Sequence, residues 1–212
     1  MKKLSSSITN MVIILTLIAI IAGGILAYVN SATKQQIENI NKEKLNAGIK
    51  EVMGGGDVKT SKPDTLKKVI NNKNKIFVVY DVSSTSNEPI GKAVETTENG
   101  FGGDLKVLVG FDNEGTILGY TILKHTETPG LGAKANVWFK NDYKKNSNII
   151  GKNPGECNFT VRKDGGDIDA ITASTITSRA FLLSIQNAYD EISKEQVDGK
   201  SGATEQTKSQ NQ

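Results

Sequence analysis

Leu105-Lys-Val-Leu-Val-Gly-Phe111, Asp112-Asn-Glu-Gly115 and Thr116-Ile-Leu-Gly-Tyr-Thr-Ile-Leu123 follow one another without a break. The two outer runs are rich in β-branched and aromatic residues, and the polar quartet between them ends on glycine. They read as a β-hairpin, and hence as part of an antiparallel sheet. Toward the N-terminus, Ile76-Phe-Val-Val-Tyr-Asp-Val82 is a strong strand signal, and Ile90 to Thr97 is a weaker one. Gly100-Phe-Gly-Gly103 stands just before the hairpin. Paired glycines let backbone come close to another group, although a plain loop needs them too.

Toward the C-terminus, His125-Thr-Glu-Thr-Pro-Gly-Leu-Gly132 leaves the end of the last strand. Pro129 and Gly130 predict a tight turn, and Gly132 removes a side chain where a flat ligand could lie close. Taken alone, this is a turn with a polar rim. Further on, Asp169-Ala-Ile-Thr-Ala-Ser-Thr-Ile-Thr-Ser178 crowds Thr172, Ser174, Thr175, Thr177 and Ser178 behind one carboxylate. Phe181, Leu182, Ile185, Ala188 and Tyr189 then fall on one face of an amphipathic helix that would pack on the sheet. A helix start presents unpaired N–H groups and the positive end of the dipole, which together favour a phosphate. The plainer reading has Thr177 or Ser178 capping the helix, a task for one hydroxyl and not for a cluster.

Met11 to Val29 reads MVIILTLIAIIAGGILAYV and holds no charge. As helix it rises about 28 Å, roughly one hydrocarbon core. A signal peptide has an apolar region of only about 7–15 residues, and Val29-Asn30-Ser31 is a poor cleavage site. A retained span is therefore expected in the plasma membrane. Lys2 and Lys3 favour a cytoplasmic N-terminus and an extracytoplasmic remainder, against lysines that also follow the span. Ile37, Ile40, Leu45, Ile49 and Val52 recur at near-helical spacing and predict a stalk helix, stopped by Gly54-Gly55-Gly56. The expected organisation is a tail over residues 1–10, a transmembrane helix over 11–30, a stalk helix over 31–56, a domain over 57–192 and a polar, disordered tail over 193–212. The fold class is α+β, with a single transmembrane helix before a twisted antiparallel sheet and its packed helices.

Composition excludes several functions. The formal charge of +3 over 212 residues, without an arginine-rich stripe, gives no footprint for nucleic acid. A single cysteine, Cys157, rules out an internal disulfide and cannot hold an iron–sulfur cluster. One histidine, His125, argues against a conventional zinc centre, so no metal site is predicted. Redox chemistry here would need an organic cofactor or a partner's metal.

The run Asp169 to Ser178 resembles the Asp-x-x-Ser-Gly-Ala-Thr-x-Thr/Ser signature of covalent FMN-binding domains, with Thr-Ala-Ser-Thr in place of Ser-Gly-Ala-Thr. Glu127-Thr-Pro-Gly-Leu-Gly132 resembles the second signature of those domains. With the single span, the Gly-Phe-Gly-Gly stretch and this length, the chain resembles the RnfG component of the Rnf ion-translocating electron-transport complex over residues 8–192. The resemblance implies one FMN, its phosphate joined to the Thr175 hydroxyl as a phosphoester. It implies that Asp169, Thr172 and the residues between them belong to the segment recognised by a flavin transferase, and it counts Asp169, Thr172, Ser174 and Thr177 with Thr175 among the cofactor-binding residues. Glu127, Thr128, Leu131 and Gly132 would then lie near the flavin, with His125 at the rim and no residue assigned to acid–base catalysis. The implied function is electron relay, alongside other subunits, in a ferredoxin:NAD⁺ oxidoreductase that moves Na⁺ or H⁺. The homologous subunit of the Na⁺-translocating NADH:quinone reductase is the nearest alternative, against which the shorter ectodomain speaks. A non-redox, membrane-anchored binding module is the alternative of another class. Asp198-Gly-Lys-Ser-Gly-Ala-Thr204 copies the first signature in its commoner spelling, but no apolar helix follows it. Thr175 is the expected attachment point because a helix stands behind it.

Overall fold

The uncharged run Met11 to Val29 lies within a single helix, α1 (Ile8–Val52), in the computed structural model, which describes residues 8–70 and 73–200. The segments expected as separate span and stalk helices are thus one, since no proline interrupts the backbone ladder between them. The chain divides into two units between Lys44 and Leu45. In the first unit the apolar stretch of α1 is long enough to cross a membrane, and none of it is buried. The end of the helix follows from its glycines. Gly54 and Gly55 take φ of +94° and +80°, and the Gly55 N–H closes back on the Lys50 carbonyl at 2.7 Å. This is the left-handed termination that residues with a Cβ adopt only at a cost.

The second unit is built on six antiparallel strands. These are β1 (Val58–Thr60), β2 (Asp64–Ile70), β3 (Lys73–Ser84), β4 (Pro89–Asn99), β5 (Asp104–Asp112) and β6 (Ile117–Lys124). Strands β3 to β6 are consecutive neighbours, while β1 and β2 share the outer edge of β3. The expected hairpin is β5–β6. Its turn is held by Asp112, whose Oδ1 accepts the N–H groups of Glu114 and Thr116 at 2.9 and 2.8 Å.

Period-two alternation gives the sheet two apolar faces. Phe77, Val79, Val94, Leu105, Val107, Val109 and Phe111 point to one core, and Tyr80, Val82, Ala93 and Leu108 to the other. Helix α3 (Thr175–Lys200) covers the first face with Phe181, Ile185, Ala188 and Ile192 at helical spacing. Phe181 stacks on Phe139 with ring centroids 4.6 Å apart and meets Tyr120 edge-on at 4.7 Å. The Tyr120 hydroxyl donates to the Ala135 carbonyl at 2.7 Å, and burial drives its pKa far above the usual phenol range. Ile49, Val52 and Met53, from the end of α1 and just beyond it, cover the second face. Gly110 and Gly119 are cross-strand partners there, and a Cβ on either would come within 2.5 or 2.9 Å of the Val52 carbonyl oxygen. Their missing side chains let that helix end rest on the sheet.

Helix α3 continues to Lys200, past residue 193 where the polar tail is expected to start. Polar residues of α3 are paired with the sheet: Asn187 Nδ2 donates to Glu98 Oε1 at 2.9 Å, Lys75 pairs with Glu98, and Lys68 lies 2.5 Å from Glu191. Thr204 lies outside the described residues.

Candidate cofactor site

Between β6 and α3 the chain runs through a 3₁₀ turn (Gly132–Lys134), a one-turn helix α2 (Ala135–Trp138) and a second 3₁₀ turn (Arg162–Asp164). This returns the segment before α3 to the loop that follows β6. A cleft of about 380 Å³ opens where they meet, lined by Phe101, Glu127, Thr128, Leu131, Gly132 and the run from Ala173 to Thr177.

Glu127 organises the cleft. It is 5% exposed, and its two oxygens accept from opposite sides. Oε1 takes the Gly102 N–H at 3.2 Å, and Oε2 takes the Thr177 hydroxyl at 2.7 Å. Thr126 adds a third tie by donating to the Gly102 carbonyl at 2.7 Å. The surrounding glycines have a steric reason. A Cβ on Gly100 or Gly132 would strike the Glu127 carboxylate, and one on Gly102 would strike the Thr126 carbonyl.

Thr175 is the first residue of α3 and lines the cleft half-buried. Ser178 N–H makes the first helical bond, to the Ser174 carbonyl at 3.0 Å. Among the described residues the N–H groups of Thr175, Ile176 and Thr177 have no carbonyl partner, and no hydrogen bond holds the Thr175 hydroxyl. The neighbouring hydroxyls are occupied otherwise. Thr177 is bonded to Glu127. Ser178 Oγ accepts the Ile171 N–H at 3.0 Å and donates to the Ser174 carbonyl at 2.9 Å. Neither caps the helix, which removes the plain reading of the cluster; Ser174 is buried at the cleft wall.

Ala173 adopts φ of +62°, a left-handed conformation, at the position where the commoner signature spells glycine. An L-residue with a Cβ pays roughly 1–2 kcal/mol there. Ala173→Gly is expected to raise unfolding stability by about 1 kcal/mol, the steric relief exceeding the added chain entropy. A urea titration reads this directly, and an unchanged or lower midpoint would contradict it.

The remaining sequence-derived residues lie at different depths. Asp169 does not line the cleft: Oδ2 accepts the Asn146 N–H at 3.2 Å and its carbonyl accepts Trp138 Nε1 at 3.0 Å, so it anchors the approach to α3. Thr172 is exposed and also outside the cleft. His125 Nδ1 accepts the Glu127 N–H at 3.3 Å and Nε2 faces Asn136 at 3.3 Å, so the ring shapes the loop. Three cleft residues escape the sequence patterns: Phe101, Ala173 and Ile176. Phe101 is 68% exposed, and an aromatic inside Gly-Phe-Gly-Gly is its only signal. No group of three or more His, Cys, Asp or Glu able to hold a metal occurs among the described residues.

Residues 100–190, which contain every cleft residue, match the FMN-binding domain family, and residues 1–52 match the RnfG N-terminal region. The G subunit of an ion-translocating oxidoreductase complex from Shewanella baltica is 31% identical over 183 residues, covering 82% of this chain and 84% of the relative. The chain belongs to the RnfG family of ion-translocating oxidoreductase complexes. A member from Shewanella amazonensis aligns over 92% of this chain and 93% of its own length at 29% identity. One from Vibrio parahaemolyticus reaches 38% identity over 120 residues, about half of each chain (53% and 54%). In this RnfG-family chain an FMN-binding domain is combined with one membrane helix. The cleft suits that cofactor: its volume lies in the range of about 300–1,000 Å³ typical of small-molecule sites. Phe101, Leu131 and Ile176 offer apolar surface to a ring system, and the unpaired N–H groups opening α3 suit a phosphate.

Proposed function

We propose that this protein relays electrons between ferredoxin and NAD within its membrane complex, through FMN joined by its phosphate to Thr175 Oγ1, and that the complex couples this flow to movement of Na⁺ or H⁺. The observation that carries the reading is the Thr175 hydroxyl, without a hydrogen bond among the described residues and set at the start of α3 on the lip of the cleft. A threonine hydroxyl is not acidic enough to attack unaided, so an external flavin transferase must activate it. Ser174 and Thr177 belong to the cleft that takes the cofactor, while Asp169, Thr172 and the residues between them form the segment which that enzyme reads. Asp169 holds it against Trp138 and Asn146, and Thr172 stands exposed to a visiting protein.

Bound FMN supplies one- or two-electron chemistry. The chain's own residues hold and shield it. The N–H groups of Thr175, Ile176 and Thr177, which have no carbonyl partner among the described residues, would hold the phosphodiester, favoured by the helix dipole. Leu131, Ile176 and Phe101 would offer apolar surface to the ring, Thr128 and Gly132 complete the wall, and Glu127 ties the walls together. No side chain is assigned to acid–base catalysis. Lys2 and Lys3 favour a cytoplasmic N-terminus and an extracytoplasmic flavin domain.

The test is coexpression with a flavin transferase, denaturing precipitation and peptide mass mapping. FMN mass is expected on the peptide that contains Thr175. Colour lost on denaturation returns the non-redox or non-covalent readings, and FMN on Thr204 alone moves the site to the tail.

A further inference from the structure

Glu127 is an acidic side chain that the attachment of FMN does not require. Its carboxyl group is buried on the cleft wall, with one oxygen on the Gly102 N–H and the other on the Thr177 hydroxyl. Both donors are neutral: a backbone N–H and a hydroxyl. Among the described residues no cation is paired with it, and no lysine or arginine lines the cleft. The other cleft side chains are apolar, small or hydroxyl-bearing, so no cationic side chain stands in the cleft to offset a charge on Glu127.

We propose that Glu127 sets the reduction potential of the bound flavin, holding it lower than the same cleft would without the charge. This rests on the reading of the cleft as the flavin site. A pair of electrons entering with one proton leaves one added negative charge on the ring system, and a fixed carboxylate beside it opposes that addition. The reduced relay is thereby a stronger donor to the next carrier.

Glu127→Gln isolates the charge. The amide oxygen can accept the Gly102 N–H while the amide nitrogen donates to Thr177, whose hydroxyl serves as donor or acceptor. Both ties survive and only the charge goes. Glu127→Asp does the opposite, keeping the charge on a side chain one methylene shorter that cannot reach both partners. Flavin content after denaturation is measured first in the wild type and both variants, then midpoint potentials by spectroelectrochemical titration of the full-length loaded proteins. Glu127→Gln is expected to raise the midpoint enough to change the oxidised-to-reduced ratio at fixed potential at least tenfold, about 30 mV for a two-electron couple. Glu127→Asp is expected to move it less. An unchanged midpoint in Glu127→Gln overturns the proposal, as does an equal or larger rise in Glu127→Asp, which would assign the effect to wall geometry. A Glu127→Gln chain that fails to fold or takes no flavin overturns it too, because loss of charge alone leaves both intact. A wild-type chain without denaturation-resistant flavin instead sinks the covalent reading. The same titration on added FMN then tests Glu127 separately.

Discussion

Thr175→Val is expected to abolish denaturation-resistant flavin while leaving the domain folded. Valine matches threonine in shape and branching and lacks only the hydroxyl that the phosphoester needs. The native Thr175 hydroxyl makes no hydrogen bond among the described residues, so its removal strands no buried partner there. Valine is also tolerated in the first helical turn, and the stability change should stay within about 0.5 kcal/mol. The readout is in-gel flavin fluorescence beside a urea unfolding curve. Thr175→Ser, which restores an oxygen at the same place, is expected to regain part of the loading. Full flavin retention in the valine variant would show that attachment lies elsewhere, with Thr204 the first place to look.

The largest stability loss is expected for Phe181→Ala. The ring is fully buried, stacked on Phe139 and edge-on to Tyr120, and it joins α3 to the sheet and to the segment after α2. Deleting it removes the transfer energy of an aromatic ring and leaves a cavity bounded by elements that cannot all collapse inward. The cost is about 3–5 kcal/mol, against roughly 5–15 kcal/mol for a typical domain. Urea unfolding should show a much lower midpoint with an unchanged slope, since the surface exposed on unfolding hardly alters. Leu183→Ala is the control: two positions away in sequence but 44% exposed, it should cost about 0.5 kcal/mol or less. Comparable losses in the two variants would mean that α3 is not seated through Phe181.

The legible part of the fold is the part that alternates. Strands β3 to β6 carry their buried apolar residues in a period of two, and the hairpin turn names itself through Asp112 and Gly115. Strands β1 and β2 leave no such mark, because they are polar edge strands with mostly exposed side chains, paired on one side to β3. The last turns of α3 carry no apolar stripe in the sequence, since Ser193 to Lys200 hold Lys, Glu, Gln, Asp and Gly with Val197 alone among them. At the cleft, Thr175, Thr177, Glu127, Thr128, Leu131 and Gly132 converge, whereas Asp169 and Thr172 stay outside it. A linear signature does not separate residues that face a ligand from those that hold the backbone carrying it. Phe101 enters from a loop far away in sequence, and Ile176 sits off the apolar stripe of α3, so neither has a periodic pattern to announce it.

The glycines packed around Glu127 have one more consequence. A side chain at Gly100 or Gly132 would run into its carboxylate and one at Gly102 into the adjoining backbone, so the carboxylate keeps its place between the two loops only while all three stay glycine. The same three positions therefore tie the carboxylate's two hydrogen bonds, to Gly102 and to Thr177, to the absence of side chains on both loops, and the cleft wall is oriented before any ligand arrives.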